Sequence, residues 1–132
     1  MILVVDDDPD IRAFVCSIIE GLSYNVIEAE NGHHALKVFK ERKPIMVITD
    51  IIMPEMDGIQ LIRKLNMLKA PPITVAMTSD LHGRANEFLD ITRELGATAI
   101  LQKPLTFEHV QKMVSTLYPT NDASTTDQYA AI

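Results

Sequence analysis

The chain opens with Met1-Ile-Leu-Val-Val-Asp-Asp-Asp-Pro9, an apolar run followed directly by three aspartates and a proline. A short apolar run that is rich in β-branched residues and lacks alternation is typical of a parallel strand buried on both faces. Asp8 before Pro9 is a typical helix start, because the carboxylate can cap free N–H groups and proline suits the first helical position. This stretch therefore predicts a buried strand that passes into a helix through an acidic turn.

The same pattern of strand and helix recurs along the chain. Residues 45–49, 73–78 and 99–101 predict further buried strands, and residues 25–30, which mix apolar residues with two glutamates, predict an edge strand. Between the strands, apolar side chains recur at the spacing of amphipathic helices. These stripes are Ile11, Phe14, Val15, Ile18 and Leu22; Ala35, Val38 and Phe39; Ile59, Ile62 and Leu65; Phe88, Leu89, Thr92 and Leu95; and Phe107, Val110, Val114 and Leu117. Because parallel strands need right-handed crossovers, the predicted fold class is α/β, a doubly wound five-stranded parallel sheet with five helices on two faces.

Length and charge restrict the class of protein. With 132 residues the chain fits one domain, which we place at residues 1–118, followed by a polar tail or linker at residues 119–132. Eighteen acidic residues against 12 basic ones give a net charge of −6, which argues against direct contact with nucleic acid. A protein partner is therefore expected.

Apolar runs and sulfur-containing residues indicate the compartment and the exposed surface. No apolar stretch approaches the roughly 20 residues needed to cross a membrane. The single cysteine, Cys16, allows no intramolecular disulfide and is expected to be a buried, inert thiol. Met53 and Met56 fall between predicted elements and are the methionines expected to be exposed. Together these features favour a cytoplasmic protein.

Polar residues stand where the predicted strands end, which is where the crevice of an open α/β sheet lies. The first strand ends at Asp6 and Asp7, the third at Asp50 and the fourth at Thr78, and the fifth runs into Lys103. If the first and third strands are neighbours, about 4.8 Å apart, carboxylates about 4 Å from each other would repel by roughly 4 kcal/mol. A hard divalent cation, Mg²⁺ above all, together with the lysine would offset that charge. A carboxylate held beside a cation and a lysine can attack the phosphorus atom of a phosphoryl group, because phosphoryl transfer needs positioning and neutralisation of charge. Asp50 would be the nucleophile.

Four segments resemble, in order, the motifs of the receiver domain of bacterial response regulators, the phosphoacceptors of two-component signalling. They are Ile2-Leu-Val-Val-Asp-Asp-Asp-Pro9, Ile48-Thr-Asp-Ile-Ile-Met-Pro-Glu-Met-Asp-Gly58, Met77-Thr-Ser79 and Gln102-Lys-Pro104. The resemblance implies a flavodoxin-like sheet with strand order 2-1-3-4-5, the order of the chemotaxis member of that family. It also implies a signalling switch that catalyses its own phosphorylation and slow dephosphorylation and is not an enzyme acting on a metabolite.

The resemblance assigns roles around the acceptor. Asp50 would accept the phosphoryl group and, with Asp7, bind Mg²⁺ directly, and Mn²⁺ could take the place of Mg²⁺. Asp6 would hold the ion through water, and Ile52 would offer its backbone carbonyl. The implied metal site therefore has three carboxylates and one carbonyl.

The resemblance also implies how the phosphoryl group is bound and read. Thr78 would move its hydroxyl group toward the phosphoryl group, and Lys103, aimed by a cis bond to the following proline, would bind it. The implied donor is a sensor histidine kinase or a histidine phosphotransfer protein. The implied target is a protein that docks on the face of helix 4, strand 5 and helix 5, and a phosphorylation-linked dimer is also compatible with the resemblance. No contact with nucleic acid or membrane is implied.

Three features depart from the family pattern. Ile100 stands where the family usually has Tyr or Phe, which predicts an absent or muted aromatic switch. The chain is longer than the common pattern around residues 80–84, before the fourth helix. Ile52 and Asp80 occupy positions that tune hydrolysis of the acyl phosphate, and an apolar Ile52 predicts a long-lived phosphoryl state.

Two alternatives stay open. Asp6 and Asp8 also fit the Asp-x-Asp motif of an aspartyl-nucleophile phosphatase of the haloacid dehalogenase type, in which Asp6 would be the nucleophile, although the chain is short for a substrate-enclosing cap. The second alternative is a pseudo-receiver, a binding module that is not phosphorylated. Such modules typically lack the acidic pocket or the lysine, and this chain has both.

Overall fold

The structure, a computed structural model, describes residues 1–79 and 88–118. In these residues five strands and five helices alternate along the chain. The strands are β1 (Ile2–Val5), β2 (Val26–Ala29), β3 (Met46–Asp50), β4 (Ile73–Thr78) and β5 (Ala99–Gln102). The helices are α1 (Pro9–Gly21), α2 (Gly32–Arg42), α3 (Gly58–Asn66), α4 (Phe88–Leu95) and α5 (Phe107–Leu117). Every strand boundary falls within one residue of its predicted position.

The five strands form one parallel sheet in the order β2-β1-β3-β4-β5, which confirms the predicted fold class and strand order. β1 lies between β2 and β3, and Val5 pairs with Ala29 on one side and with Thr49 on the other. The chain leaves β1 toward one edge of the sheet and returns to β3 on the other side. The carboxyl ends of β1 and β3 therefore flank the topological switch point, the place where the direction of the strand order reverses. Open sheets of this kind have a crevice there.

Alternate side chains of the strands face two different layers of helices, which is why the strands are continuous apolar runs. In β1, Ile2 and Val4 pack toward α1 and α5, whereas Leu3 and Val5 pack toward α2 and α3. The edge strand β2 carries an exposed glutamate, Glu28, as predicted. None of the helices in the described part of the chain combines the length and the apolar character needed to cross a bilayer.

Side-chain caps define where α1 and α5 begin. Asp8 accepts a hydrogen bond from the N–H of Asp10 at 2.9 Å, and Thr106 accepts one from the N–H of His109 at 3.2 Å. After α4, Gly96 has a φ of 75°, the left-handed conformation that favours glycine at a helix end. The start of α1 at Pro9, capped by Asp8, agrees with the predicted helix start.

The end of α5 lies beside the start of the sheet. The amino group of Met1 donates a hydrogen bond to the hydroxyl oxygen of Tyr118 at 2.9 Å. The ring of Tyr118 packs against that of Tyr24, with 4.3 Å between ring centroids. The first and last described residues therefore meet at the amino end of β1.

Several predicted exposures are wrong. Met53 and Met56, expected to be exposed, are each only 7% exposed, because the loop after β3 folds back and both side chains fill space between α2 and α3. Phe14 and Phe107, expected in buried stripes, are 39% and 50% exposed. Phe14 precedes the first buried residue of α1, Val15, and Phe107 is the first residue of α5, three positions before its first buried residue, Val110.

Candidate functional site

The switch point brings three carboxylates together. Asp6 follows β1 and Asp50 ends β3, and these two strands are neighbours. One carboxylate oxygen of each of Asp6, Asp7 and Asp50 lies within 4.8 Å of the others. Asp6 is 1% exposed and Asp50 is 8% exposed, whereas Asp7 is at the surface. The result is a mostly buried acidic pocket with one side open to solvent.

Lys103, which follows the edge strand β5, supplies positive charge to this pocket. Its Nζ lies 3.2 Å from Oδ2 of Asp6 and 3.1 Å from Oδ1 of Asp50. The peptide bond between Lys103 and Pro104 is cis, as the family resemblance implied, and the N–H of Lys103 donates to the carbonyl of Thr78 at 2.8 Å. Because the lysine side chain is only 20% exposed, its ion pairs are less screened than those of a surface lysine.

Burial and charge shift the pKa values of Asp50 and Lys103. Burial raises the pKa of Asp50 above its ordinary value of 3.8, and the negative charge of Asp6 raises it further, against the opposing effect of Lys103. Burial alone would lower the pKa of Lys103, but its hydrogen bonds and the charges of Asp50 and Asp6 outweigh that effect and raise it. Ionised Asp50 is therefore disfavoured first by burial and then by the charge of Asp6, and Lys103 opposes both effects.

The donor set fits a hard divalent cation. Mg²⁺ prefers oxygen ligands, is held by few protein carboxylates and keeps several waters. Asp7 offers a carboxylate oxygen at the open side of the pocket and Asp50 offers one from its buried side, and water from the open side could complete the coordination. The cluster holds three carboxylates and the described contacts give it one lysine, so a bound cation would offset its excess negative charge.

Both oxygens of Asp6 already have partners. The N–H of Asp8 donates to Oδ1 at 2.9 Å, and Lys103 donates to Oδ2 at 3.2 Å. A carboxylate that is engaged on both oxygens and 1% exposed is poorly placed to turn toward an ion. This arrangement favours an indirect contact between Asp6 and a cation.

Two further predicted residues lie at the same edge of the sheet. Thr78 ends β4, which runs between the strands that carry Asp50 and Lys103, and it is 4% exposed. Ile52, two residues beyond the acceptor strand, is 68% exposed. The movement of the Thr78 hydroxyl and the use of the Ile52 carbonyl stay predictions. Asp80 and the longer stretch at residues 80–84 lie outside the described residues.

The loop after Asp50 returns close to the acceptor strand. Asp57 caps α3 by accepting from the N–H of Gln60 at 2.8 Å, and the side chain of Gln60 accepts from the N–H of Asp57 at 3.2 Å. Gly58 begins α3, and its N–H donates to the carbonyl of Ile51 at 2.7 Å. A methyl group at Gly58 would overlap the carbonyl oxygen of Asp50 and lie 2.8 Å from Cα of Ile51. The start of α3 can approach the acceptor this closely only with glycine at position 58.

Arg12 is a residue of the site that the sequence pattern did not single out. Its Nη1 donates to the carbonyl of Asp6 at 2.6 Å, and its Nε donates to Oε1 of Glu28 in β2 at 3.1 Å. The sequence could have pointed to Arg12, because helical side chains lean toward the start of their helix and Arg12 lies four residues after the cap Asp8. Arg12 therefore ties the acidic turn to the neighbouring strand.

Cys16, one turn beyond Arg12, takes no part in this chemistry. It is 6% exposed, and burial, assisted by the charges of Glu28 and Glu20, raises the pKa of its thiol to about 12. The thiolate is the reactive form of cysteine. The expected burial of Cys16 is confirmed, and its inertness stays a prediction.

The fold and the site define a small, doubly wound α/β domain with an acidic pocket and one lysine at its switch point. Residues 2–115 match the family described as response regulator receiver domain. The chain therefore belongs to the response regulator receiver family, whose members are phosphoacceptor domains of two-component signalling.

Relatives of very different lengths share this domain. The chemotaxis protein CheY of Listeria monocytogenes is 36% identical over 110 residues, which are 83% of this chain and 90% of that protein. A histidine kinase of Formosa agariphila is 35% identical over 104 residues, which are 78% of this chain but only 7% of the kinase. Among solved structures, the chemotaxis response regulator CheY4 of Vibrio cholerae matches with a TM-score of 0.74 at 26% identity, covering 86% of this chain and 94% of that one.

Proposed function

We propose that this receiver domain accepts a phosphoryl group on Asp50 from a phosphohistidine, and that phosphorylation changes the surface that partners bind. The observation that carries the proposal is the position of Lys103, whose Nζ contacts both Asp6 and Asp50 at 3.2 and 3.1 Å. A lysine held at this point can pair with the phosphoryl oxygens once they arrive. The domain then acts as a switch and turns over no metabolite.

In the transfer step, a carboxylate oxygen of Asp50 attacks the phosphorus atom of the phosphohistidine. A bond forms between that oxygen and phosphorus while the bond from phosphorus to the imidazole nitrogen breaks, and the nitrogen keeps the electron pair and takes up a proton. Lys103 offsets the charge on the phosphoryl oxygens, and the hydroxyl of Thr78 donates a hydrogen bond to one of them. These contacts strengthen as charge moves onto the oxygens, so they favour the transition state.

The metal we propose is Mg²⁺, with Mn²⁺ as a substitute. Asp7 and Asp50 would bind it directly, Asp6 through water and Ile52 through its backbone carbonyl. When bound, the cation neutralises negative charge on the carboxylates and on the phosphoryl oxygens. The engagement of both Asp6 oxygens by Asp8 and Lys103 supports the indirect role of Asp6.

Intact-protein and peptide mass spectrometry after treatment with acetyl phosphate and Mg²⁺ tests the acceptor. We expect one phosphoryl group on Asp50 in the wild type, none in Asp50→Asn, and normal uptake in Asp10→Asn, a matched change at an exposed aspartate of α1. A phosphoryl group on Asp6 with Asp50 unmodified would support the phosphatase alternative. No uptake by the wild type would support the pseudo-receiver.

Replacing Arg12 by glutamine is expected to weaken Mg²⁺ binding by about tenfold, a typical loss when a group that orients a metal ligand is removed. The reason is that Arg12 holds the backbone of Asp6, from which the acidic turn starts. Isothermal titration calorimetry measures the affinity without any phosphorylation. Arg63→Gln, at an exposed arginine of α3, is the matched control and should bind Mg²⁺ as the wild type does. Equal affinity of Arg12→Gln and wild type would contradict this role.

The phosphoryl group on Asp50 is expected to be long-lived. Ile52 is 68% exposed and has no hydrogen-bonding side chain to hold a water for attack on phosphorus. Ile52→Asn is therefore expected to speed self-dephosphorylation several-fold, measured as release of inorganic phosphate. Met67→Asn, which changes another exposed apolar side chain, should have no effect. A wild-type half-life of seconds would contradict the expectation.

The proposed donor is a sensor histidine kinase or a histidine phosphotransfer protein, and the proposed readout surface comprises α4, β5 and α5. Thr78 ends β4 and Lys103 follows β5. Shifts of these two side chains toward the phosphoryl group therefore act on the ends of β4 and β5. Ile100 in β5 is 7% exposed and packs with Ile62 and Ala76. Readout therefore proceeds without the rotation of a large ring.

A phosphorylation-linked dimer and a cytoplasmic location belong to the same proposal.

A further inference from the structure

A large apolar groove lies at the end of the sheet opposite the acidic pocket. It has a volume of about 800 Å³ and is formed where α2 and α3 end and where β3 and β4 begin. Its floor includes Leu36, Phe39 and Ile73, and its border includes Ile45 and Leu68, which are 39% and 43% exposed. Large apolar side chains that remain exposed around one groove are typical of a binding surface.

Three lysines surround this groove. Lys40, Lys43 and Lys64 line it and are exposed. Within residues 1–79 and 88–118, none of them forms an ion pair with a carboxylate. This cluster of unpaired positive charge is unusual on a chain whose net charge is −6, and it attracts acidic groups to the groove.

The backbone at the groove excludes one way of binding. The N–H of Ile45 donates to the carbonyl of Met1 at 3.1 Å, and the N–H of Ile73 donates to the carbonyl of Ile45 at 2.9 Å. Both strands that begin here are interior strands of the sheet, so an added strand would find no free edge. Recognition must therefore use side chains, as when an amphipathic helix lies in an apolar groove.

We propose that this groove, the α2–α3 groove, binds an acidic amphipathic helix of a partner protein. The apolar face of the helix would cover Leu36, Phe39 and Ile45, and its acidic residues would pair with Lys40 and Lys64. Because the groove lies at the amino ends of the strands and the acceptor pocket at the carboxyl ends, both can be occupied together. The groove serves as a docking surface that is separate from the face of α4, β5 and α5.

The test uses the full chain and a designed helical peptide, about four turns long, with leucines on one face and glutamates on the other. Amide shifts in ¹H–¹⁵N spectra locate the binding site, and fluorescence anisotropy of the labelled peptide measures affinity. We expect saturable binding with shifts centred on Leu36, Phe39, Ile45 and Leu68. The same peptide with lysines in place of glutamates should bind much more weakly, and added salt should weaken binding of the glutamate peptide to the wild type.

Charge reversal supplies the matched variants. Lys40→Glu combined with Lys64→Glu is expected to weaken binding by about tenfold, whereas Lys37→Glu, on an exposed part of α2 outside the groove, should change it by less than about twofold. The proposal would be overturned if the lysine peptide bound as tightly as the glutamate peptide, or if binding were not saturable. It would also be overturned if the amide shifts were centred on Ile100 of β5 and Met113 of α5. So would peptide-induced shifts in residues 119–132 or self-association through the groove, since the occupant would then be this chain's own tail or a second copy.

Discussion

Replacing Gly58 by alanine is expected to lower the free energy of unfolding by about 3 kcal/mol or more, the upper part of the range for overpacking of a close contact. The added methyl group would overlap the carbonyl oxygen of Asp50 and approach Cα of Ile51 to 2.8 Å. These are backbone atoms of the acceptor strand, so they cannot move aside as a flexible side chain does. The start of α3 must shift instead, which strains the hydrogen bond from the N–H of Gly58 to the carbonyl of Ile51.

Thermal unfolding followed by far-UV circular dichroism measures the effect of this substitution, and a loss of this size corresponds to roughly 10 °C or more in Tm. Gly21→Ala is the matched control, because a methyl group at Gly21, the last residue of α1, would meet nothing within 4 Å. Its Tm should stay close to that of the wild type. If the two alanine variants unfold at the same temperature, α3 does not depend on the close approach at Gly58.

Replacing Lys103 by methionine is expected to destabilise the metal-free protein by about 2 to 4 kcal/mol, because removing one partner of a buried ion pair leaves uncompensated charge. Lys103 is the cation that contacts both Asp6 and Asp50, and these carboxylates are 1% and 8% exposed. Methionine retains much of the apolar stem, so the change isolates the charge. Urea unfolding without and with Mg²⁺ measures the loss, which should shrink when Mg²⁺ is present.

Two controls separate charge from packing in this variant. Adding Asp6→Asn to Lys103→Met should recover part of the lost stability, since it removes one of the two repelling carboxylates. Lys37→Met, at an exposed lysine, should leave stability unchanged. If Lys103→Met were as stable as the wild type without metal, or if Asp6→Asn gave no recovery, the assumed repulsion would be absent.

The pH dependence of Lys103→Met follows from the raised pKa of Asp50. The folded protein holds a proton on Asp50 more tightly than the unfolded chain does, because burial and the charge of Asp6 disfavour the carboxylate. The resulting stability is present below the ordinary pKa of 3.8 and is lost as the pH rises through the raised value. Without Lys103 this pKa should rise further, so stability measured by urea unfolding should fall more steeply above pH 3.8 than in the wild type.

Strand positions were predictable because burial on both faces leaves a local signature. The run at residues 73–78 contains only β-branched and other small or apolar residues, and it became β4 at the predicted bounds. The crevice of an open α/β sheet lies where its strands end, and this led to the acidic pocket, although Lys103 and Asp6 are 97 positions apart in the chain. Their proximity depends on strand order, which the family resemblance supplied.

Other features depend on the path of loops and on how helices are rotated, which no local pattern records. Met53 and Met56 were expected at the surface because they lie between elements, but the loop turns inward and buries both. Arg12 looks like a solvated residue of α1, yet the rotation of that helix directs its guanidinium to the carbonyl of Asp6. Phe14 shows the reverse case, since a residue at helical spacing remained 39% exposed when the helix packed.

The contact between Met1 and Tyr118 bears on how this domain can be used in evolution. A folded unit whose two ends emerge side by side can be spliced into another polypeptide without pulling its host apart. In this structure Met1 lies beside Tyr118, whose ring packs against that of Tyr24, so the two ends of the described domain are neighbours. Regions similar to this chain make up 90% of a chemotaxis protein and 7% of a histidine kinase. Portability, in this sense, is a property of the geometry at the amino end of β1.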